Sequence, residues 1–411
     1  MLFRSRQTNV VKKTGVTFAR DVAPILQARC ERCHRPGQTA PFALMGYDDA
    51  VRWSEQLREV VSQRRMPPWH ADPHYGKFEN SRRMSDEEIA TVVAWLDAGK
   101  PMGDPKDLPP KRTYSDNWSI GVPDQVFETR TASIPADGVM DYKYYFVATN
   151  FAEDRWIQAA EALPGNPAVV HHIIVYVIKP LQRDFGISAD GSMAVLAAWA
   201  PGDASSVFPS DAAYLIPKGA TLAFEMHYTP NGTKTTDRSK VGVVFARTPP
   251  KRQVEYNFVG NPTIAIPPGD PNHRDVVDYI FDEDARILSL APHMHWRGKS
   301  FHYEAIYPDG RKEILLCVPR YDFNWQTMYR FAEPLKAPKG TRIRAVAHWD
   351  NSAANPANPD PNRTVRWGLQ TYEEMMIGWM AFLREKPIDP TVAERPAAGR
   401  LEFSGKTLNE A

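Results

Sequence analysis

"AVVHHIIVYVI", residues 168–178, is a run of β-branched and aromatic side chains that ends before a Lys-Pro pair. Such residues favour strands, whereas proline, glycine, asparagine and aspartate favour the turns between strands. From residue 117 onward the pattern recurs in "DYKYYFVAT", "ATLAFEMHYTP", "KVGVVFA", "RILSLAPHMHW", "SFHYEAIYPDG", "TRIRAVAHWD" and "MMIGWMAFL". Runs at this spacing predict all-β antiparallel sandwiches, and about 265 residues suit two sandwiches better than one.

The residues before this region show a helical pattern instead. The segments "FARDVAPILQARCERCH" and "YDDAVRWSEQLREVVSQRR" have apolar residues at helical spacing. The segment "SDEEIATVVAWLDAG" opens with a capping box, Ser85 to Glu88, and closes at Gly99. Three helices are therefore predicted between residues 16 and 104.

Two of the three cysteines form the motif Cys30-Glu-Arg-Cys33-His34, which is the signature of covalent haem attachment. His34 is then the proximal iron ligand. The third, Cys317, lies in the apolar run "EILLCVP" and is expected to be a small buried hydrophobic residue, so no disulfide is predicted.

The sixth haem ligand is less defined by the sequence. Met66 is the first choice, because the two prolines that follow it stiffen its loop. Four other side chains remain open as ligands: Met45, Met84, His70 and His74. A vacant sixth position would instead indicate oxygen or peroxide chemistry.

Together these patterns predict a multidomain chain. The predicted order is an α-helical c-type cytochrome domain after a short disordered start (1–105), a linker (106–116), two β-sandwich domains of jelly-roll type (117–255 and 256–385) and a tail (386–411). Covalent haem is attached outside the bacterial inner membrane, so a periplasmic or secreted location is expected. The basic start "MLFRSRQTNVVKKTG" lacks the apolar core of a signal peptide, and we expect that a leader has been removed or is missing.

Charge excludes some classes of partner. Lys and Arg total 50 and Asp and Glu total 49, so nothing favours nucleic acid or an anionic membrane as a partner. The sequence has no apolar run of about 18 residues, so no membrane-spanning helix is predicted.

Five histidines of the strand region fall in three places. They are the pair His171 and His172, the single His227 in "LAFEMHYTP", and the pair His293 and His295 in "APHMHWRGKS". Residues two apart in a strand share a face, whereas adjacent residues point to opposite faces unless the strand bends. Each place alone can equally be a polar strand face. Taken together they predict one three-nitrogen metal site and a second site that needs a further ligand. A thioether from Met375 or Met376 in "TYEEMMIGWM" would favour copper there.

The order H-H, H-Y in a strand, H-x-H-x-x-G-K and then Glu-Met resembles the copper type II ascorbate-dependent monooxygenases, the family of peptidylglycine α-hydroxylating and dopamine β-monooxygenases. The resemblance covers about residues 117 to 385. It implies that His171, His172 and His227 hold a copper that relays an electron. It also implies that His293, His295 and Met375 hold the catalytic copper that binds O2. In the family each copper sits on its own sandwich, facing the other across open solvent. The amino-terminal haem segment is similar to an arrangement in bacterial members.

The sequence departs from the family at its substrate positions. Ala291, Ile377 and Trp379 stand where peptide-amidating members have arginine, asparagine and tyrosine. The relatives also have disulfides that this chain cannot form. A peptide substrate is therefore not expected, and a less polar or aromatic small molecule is.

The resemblance implies hydroxylation of a C–H bond with O2, with ascorbate or a redox protein as the reductant. We expect the electrons to enter through the haem, because a fused haem raises the effective concentration of the donor. Two alternatives remain open at this point. The same ligands suit a copper and haem electron-transfer or copper-binding protein without oxygenase turnover. Three histidines also suit a zinc hydrolase, which would leave the haem and Met375 without a role.

Overall fold

The computed structural model describes residues 14–114, 118–180, 194–202, 205–388, 398–403 and 406–407. The chain divides into two units. The helical unit comprises Met1–Trp69 and Ser81–Tyr114, and the strand unit comprises His70–Asn80 and Ser115–Ala411. The predicted start and most of the predicted tail lie outside the described residues.

The described residues of the helical unit contain short helices joined by long loops. The elements are a π-helical turn (Phe18–Val22), α1 (Ala23–Arg29), α2 (Tyr47–Arg52), α3 (Ser54–Ser62), α4 (Asp86–Asp97) and a 3₁₀ turn (Pro105–Asp107). Trp95 is fully buried and packs with Phe18 and Tyr47 at the centre of the unit. At α4 the predicted capping box is confirmed: the Ser85 hydroxyl accepts from the Glu88 amide, and the Glu88 carboxylate accepts from the Ser85 amide.

The predicted α-helical cytochrome c domain is wrong as a description of the fold. Strands hold 38% of the structure and helices only 12%, so no large helical domain is present in the part that is described. The predicted second helix is interrupted at Trp53, whose backbone (φ −100°, ψ 20°) separates α2 from α3. Proline at 67 and 68 keeps the chain after α3 out of helix, because proline lacks an amide donor. The apolar spacing was helical, but local breaks limit each helix to a few turns.

A nine-stranded sheet runs through the described residues of the strand unit. Its strands, in spatial order, are β1 (Gln125–Glu128), β11 (Lys240–Phe245), β4 (Arg155–Leu163), β8 (Ala212–Ile216), β12 (Arg252–Gly260), β21 (Ile377–Arg384), β15 (Ala285–His293) and β18 (Tyr329–Ala337), with β7 (Ser206–Val207) on β4. The pairing of β8 with β12 is parallel, which corrects the expectation of purely antiparallel sheets. There the Asp211 carboxylate accepts from the Arg252 guanidinium at 2.8 and 3.0 Å.

Two further sheets supply the other layers. One has four strands: β3 (Lys143–Ala148), β9 (Thr221–Tyr228), β5 (Val170–Ile178) and β6 (Val195–Trp199). The other has six: β17 (Lys312–Val318), β16 (Gly298–Ile306), β19 (Arg342–Trp349), β14 (His273–Phe281), β22 (Gly399–Phe403) and β23 (Lys406–Thr407). Short pairs join β2 (Ala132–Ile134) to β10 (Thr235–Asp237) and β13 (Ala265–Ile266) to β20 (Val365–Arg366). Alternating burial along β16 is typical of a strand with one face in a core.

The segment His70–Asn80 belongs with the strands, although the sequence pattern placed it with the helices. Phe78 forms an isolated antiparallel bridge with Phe331, and the two rings lie 5.2 Å apart. The Asp72 amide donates to the Cys317 carbonyl at 2.8 Å. No helix among the described residues has the length and apolar character needed to cross a bilayer.

Candidate metal centre

Adjacent strands β5 and β9 bring together His171, His172 and His227, which we call the first histidine group. His172 lies directly opposite His227, and the register between the strands shifts between Val170 and His172. His171 is therefore the extra residue of a β-bulge. A bulge re-aims the side chain at that position, which is how two neighbouring histidines reach one side of the strand.

Nitrogen atoms of the first histidine group lie within 4.8 Å of one another. The two Nδ1 atoms of His171 and His172 are 3.1 Å apart. Within the described residues, His171 Nε2, His172 Nε2 and His227 Nδ1 are buried and have no hydrogen-bond partner. Burial lowers the pKa of His171 to about 4 and that of His227 to about 2, and it lowers the pKa of His172 as well. The imidazoles are neutral at neutral pH, so their lone pairs are available to a cation.

Glu225 lies beside the first histidine group, two residues before His227 on β9. Its Oε1 is 3.8 Å from His172 Nε2, and its Oε2 accepts from the hydroxyls of Tyr144 at 3.0 Å and Tyr176 at 3.4 Å. Burial raises the pKa of Glu225. The ring of Tyr142 covers the group from another side, 4.6 Å from the His227 ring.

His293, His295 and Met375, which we call the second group, lie where β15 and β21 end together. His293 is the last residue of β15 and pairs with Ile377, the first residue of β21. His295 follows in the turn, and Met375 lies two residues before β21. All three are at least 93% buried, with exposures of 6% for His293, 0% for His295 and 7% for Met375. The intervening Met294 is fully buried.

Partners on Nδ1 orient both imidazoles of the second group. His293 Nδ1 is 2.7 Å from Gln326 Oε1, and His295 Nδ1 is 3.3 Å from the Glu373 carbonyl. Each Nδ1 therefore carries the proton, which leaves Nε2 as the ligand atom. His295 Nε2 is buried and has no partner among the described residues. Burial lowers the pKa of both histidines.

Glu374 ties Met375 to the His295 backbone. Its fully buried carboxylate accepts from four donors, which are the amides of His295 (2.9 Å), Arg297 (2.7 Å) and Met375 (3.3 Å) and the Trp349 indole N–H (3.1 Å). Burial raises the pKa of Glu374 to about 7, against the lowering effect of its backbone donors. One carboxylate thus holds the backbone of His295 next to that of Met375.

The two groups face each other across the ring of Phe323. Its centroid lies 5.3 Å from that of His171, with an interplanar angle of 16°, and 5.9 Å from that of His227. On the other side it lies 6.0 Å from the centroid of His295, at 89°. The space between these rings therefore holds an aromatic side chain, whereas the family resemblance implied open solvent.

The donor sets of both groups fit a metal ion. Three buried imidazoles in the first group suit zinc, copper, iron or nickel, and the second group offers two imidazoles and the buried Met375, whose thioether would favour Cu(I). Unpartnered buried nitrogens cost free energy unless something binds them, so the orphaned Nε2 and Nδ1 atoms support metal binding at both groups.

The haem-attachment motif lies where α1 ends. Cys30 is the C-cap of α1, and its carbonyl accepts from the amides of Cys33 (3.1 Å) and His34 (2.9 Å). His34 Nδ1 is 3.1 Å from the Phe42 carbonyl, so Nε2 is left for iron. None of the three cysteines forms a disulfide. Two free thiols followed by a histidine have the side-chain chemistry that covalent haem attachment requires.

The structure separates the side chains that the sequence left open as sixth ligands. Met84 is 3% exposed and packs in the core of the helical unit, whereas Met45 is 43% exposed on its surface. The His74 side chain is 82% exposed and pairs with Asp72. Met66 is half-buried after α3.

Sequence reasoning singled out the six side chains of the two groups but missed the residues that contact them. No recognisable sequence motif marks Gln326, Phe323 or Tyr142, or the hydrogen bonds of the Glu374 carboxylate, because their partners are distant in sequence. The acidic residue before Met375 was visible in the sequence, but its role as a backbone acceptor was not.

Comparisons with known proteins add little to this geometry. No family model matches the chain, and no curated protein matches it. The major capsid protein P2 of bacteriophage PM2 aligns with 65% of this chain and 99% of its own length, at 9% identity and a TM-score of 0.27. The infectious bursal disease virus Gt strain structure aligns with 70% of this chain and 85% of its own length, at 9% identity and a TM-score of 0.18. Similarity at this level carries no argument about function.

Proposed function

We propose that this protein is a copper-dependent monooxygenase that hydroxylates a C–H bond of a small organic substrate. The reaction consumes one O2, two electrons and two protons and yields an alcohol and water. The observation that carries the proposal is the pair of buried groups, one with three clustered imidazoles and one in which a single carboxylate joins the backbones of His295 and Met375. Copper bound at these groups would supply one-electron redox chemistry and a place for O2.

In this proposal each protein side chain has a defined role. His171, His172 and His227 would hold a copper that supplies an electron. His293, His295 and Met375 would hold the copper that supplies the oxygen chemistry. Gln326 and the Glu373 carbonyl keep Nδ1 of His293 and His295 protonated, which leaves Nε2 as the ligand atom.

The surroundings of the second group favour a substrate with an apolar or aromatic body. Ala291 lies two residues before His293 on β15 and therefore shares its face of the strand. Trp379 is directly opposite Ala291 on β21, and both residues are half-buried. A small side chain facing an indole offers apolar contact and no charge for a carboxylate. This supports a small organic substrate over a peptide.

Oxygen uptake tests the assignment of Met375. Copper-loaded protein with a reductant is expected to consume O2 with members of a panel of small aromatic and aliphatic compounds and to form the alcohols. Met375→Leu is expected to lower the uptake by at least about 100-fold, because loss of a ligand should exceed the roughly 10–100-fold effect of changing a residue that hydrogen-bonds to a ligand.

Met376→Leu is the matched control, because Met376 is the adjacent, fully buried methionine. A loss of uptake in Met376→Leu but not in Met375→Leu would overturn the ligand assignment. Two bound coppers without O2 uptake for any compound would favour an electron-transfer protein. Two zinc ions per chain after expression would favour a zinc hydrolase.

We also propose that Cys30 and Cys33 bond a haem whose iron is held by His34 and Met66. A haem on the same chain raises the effective concentration of the electron donor. Free ascorbate or a separate redox protein would then reduce the haem again. Attachment of haem c implies a periplasmic or secreted protein.

Removal of both motif cysteines tests the haem. Cys30→Ala with Cys33→Ala is expected to abolish covalent haem, measured by haem staining of the denatured protein, and to leave copper stoichiometry unchanged. Cys317→Ala is the control, and it is expected to retain the haem. In anaerobic rapid mixing, reduced haem in the wild type is expected to be oxidised by the cupric sites. Haem that stays reduced while copper stays oxidised would contradict its role as electron donor.

A further inference from the structure

The segment Tyr321–Gln326 is fastened to the strand of the second group on both sides of Phe323. The Tyr321 hydroxyl donates to the Met294 carbonyl at 2.8 Å and accepts from the Met294 amide at 3.1 Å. At the other end, Gln326 Oε1 meets His293 Nδ1 at 2.7 Å. Between these anchors the backbone forms a turn, in which the Trp325 amide donates to the Asp322 carbonyl at 3.0 Å.

These anchors fix the position of Phe323 relative to the second group, and its ring packs against the first histidine group. The ring is nearly parallel to the imidazole of His171 at 5.3 Å and is tilted against that of His227 at 5.9 Å. Its contact with His295 is edge-to-face at 6.0 Å. Stacked and edge-to-face arrangements in this distance range are favourable contacts between aromatic rings.

We infer that Phe323 is a positioning residue that sets the spacing between the two histidine groups and keeps water out from between them. The inference rests on the proposed function only in taking both groups as copper sites. A phenyl ring has no polar atom, so it cannot replace water as a hydrogen-bond partner of the imidazoles. The ring fills the space between the two groups. Excluding water there lowers the local dielectric constant, so charges at the two groups interact more strongly.

Different replacements of Phe323 remove different properties of the side chain, namely its ring contacts or its apolar character. Leucine keeps the position apolar but is shorter and not planar, so it cannot contact all three imidazole rings. Tyrosine keeps the ring and adds a hydroxyl. Phe323→Leu therefore separates ring contact from hydrophobicity, and Phe323→Tyr is the conservative variant that is expected to restore wild-type behaviour.

Chemical modification of histidines in the metal-free, full-length protein tests water exclusion. The probe is diethyl pyrocarbonate, with the modification rate at each histidine followed by peptide mass spectrometry. In Phe323→Leu the rates at His171, His227 and His295 are expected to rise several-fold, whereas the rate at His348, which lies on β19 and belongs to neither group, is expected to stay unchanged. Unchanged rates at the three group histidines would overturn the inference, whether or not copper binds.

Electron paramagnetic resonance of the protein with two equivalents of copper(II) tests the spacing. The wild type and Phe323→Tyr are expected to show dipolar broadening between the two ions, and Phe323→Leu is expected to lose it while still binding two coppers. Phe331→Leu removes a different buried ring of the strand unit and controls for the general effect of losing a ring. It is expected to keep the broadening. A wild-type protein that binds fewer than two coppers would contradict the proposed function, and the modification rates would still decide the role of Phe323. Equal spectra for wild type and Phe323→Leu would overturn that role.

Discussion

Glu374→Gln is expected to lower the free energy of unfolding of the metal-free protein by about 2–4 kcal/mol, because buried donors left without an acceptor cost about 1–3 kcal/mol each. The carboxylate accepts from three backbone amides and from the Trp349 indole. A carboxamide offers only one acceptor oxygen, and its NH2 group would face donors. Denaturant unfolding measures this change.

The same substitution is expected to weaken copper binding at the second group more than at the first. Glu374 joins the backbones of His295 and Met375, so its loss separates two of the ligands, whereas β5 and β9 are untouched. Glu373→Gln is the matched control. Its carboxylate accepts from the Gln370 amide at 3.0 Å near the surface, and a change of less than about 1 kcal/mol is expected. Wild-type unfolding and copper affinity in Glu374→Gln would show that the carboxylate does not hold the second group together.

His172→Ala is expected to reduce bound copper from two ions to one per chain. His172 is 3% exposed and lies opposite His227, so alanine removes one of three nitrogens and leaves a cavity that no other side chain of the group fills. Changing a residue that hydrogen-bonds to a metal ligand already costs about 10–100-fold in metal affinity, so loss of a ligand is expected to cost more than about 100-fold. Competition with a chelator of known affinity measures this loss.

His348→Ala provides the comparison for this variant. His348 lies on β19, where its Nδ1 is 3.1 Å from the Ser300 hydroxyl, and it belongs to neither group. It is expected to retain both coppers. Two coppers of wild-type affinity in His172→Ala would contradict the first histidine group as a metal site.

Local sequence rules identified single elements of this structure but not their extent. The capping box at Ser85 does begin α4, because capping depends only on residues a few positions apart. The helical segment from residue 47 was expected to be one helix, and Trp53 divides it. No local rule shows that the eleven-residue segment His70–Asn80 packs with distant strands, because Phe78 meets Phe331 only in the folded chain.

The candidate site shows the same limit. Histidine pairs and Met375 stand out in the sequence because their residue types and order are informative. The sequence left open how His171 and His172 could share one ion, since neighbouring strand residues point apart. Only the observed register shift answers this question. Phe323 has no distinguishing residue type, and its importance comes from two anchors, Tyr321 and Gln326, whose partners lie about thirty positions earlier.

The bulge at His171 has a mechanical consequence for a chain without disulfides. An ion held by His171, His172 and His227 would act as a removable cross-link between β5 and β9, strands joined by a long stretch of chain. A ligand that binds only the folded state at about 100 times its dissociation constant adds about 2.7 kcal/mol to stability. Removing such an ion with a chelator would therefore weaken the pairing of β5 with β9 as well as abolish any redox activity of the site. The melting temperature of this protein is expected to rise with the metal concentration around it.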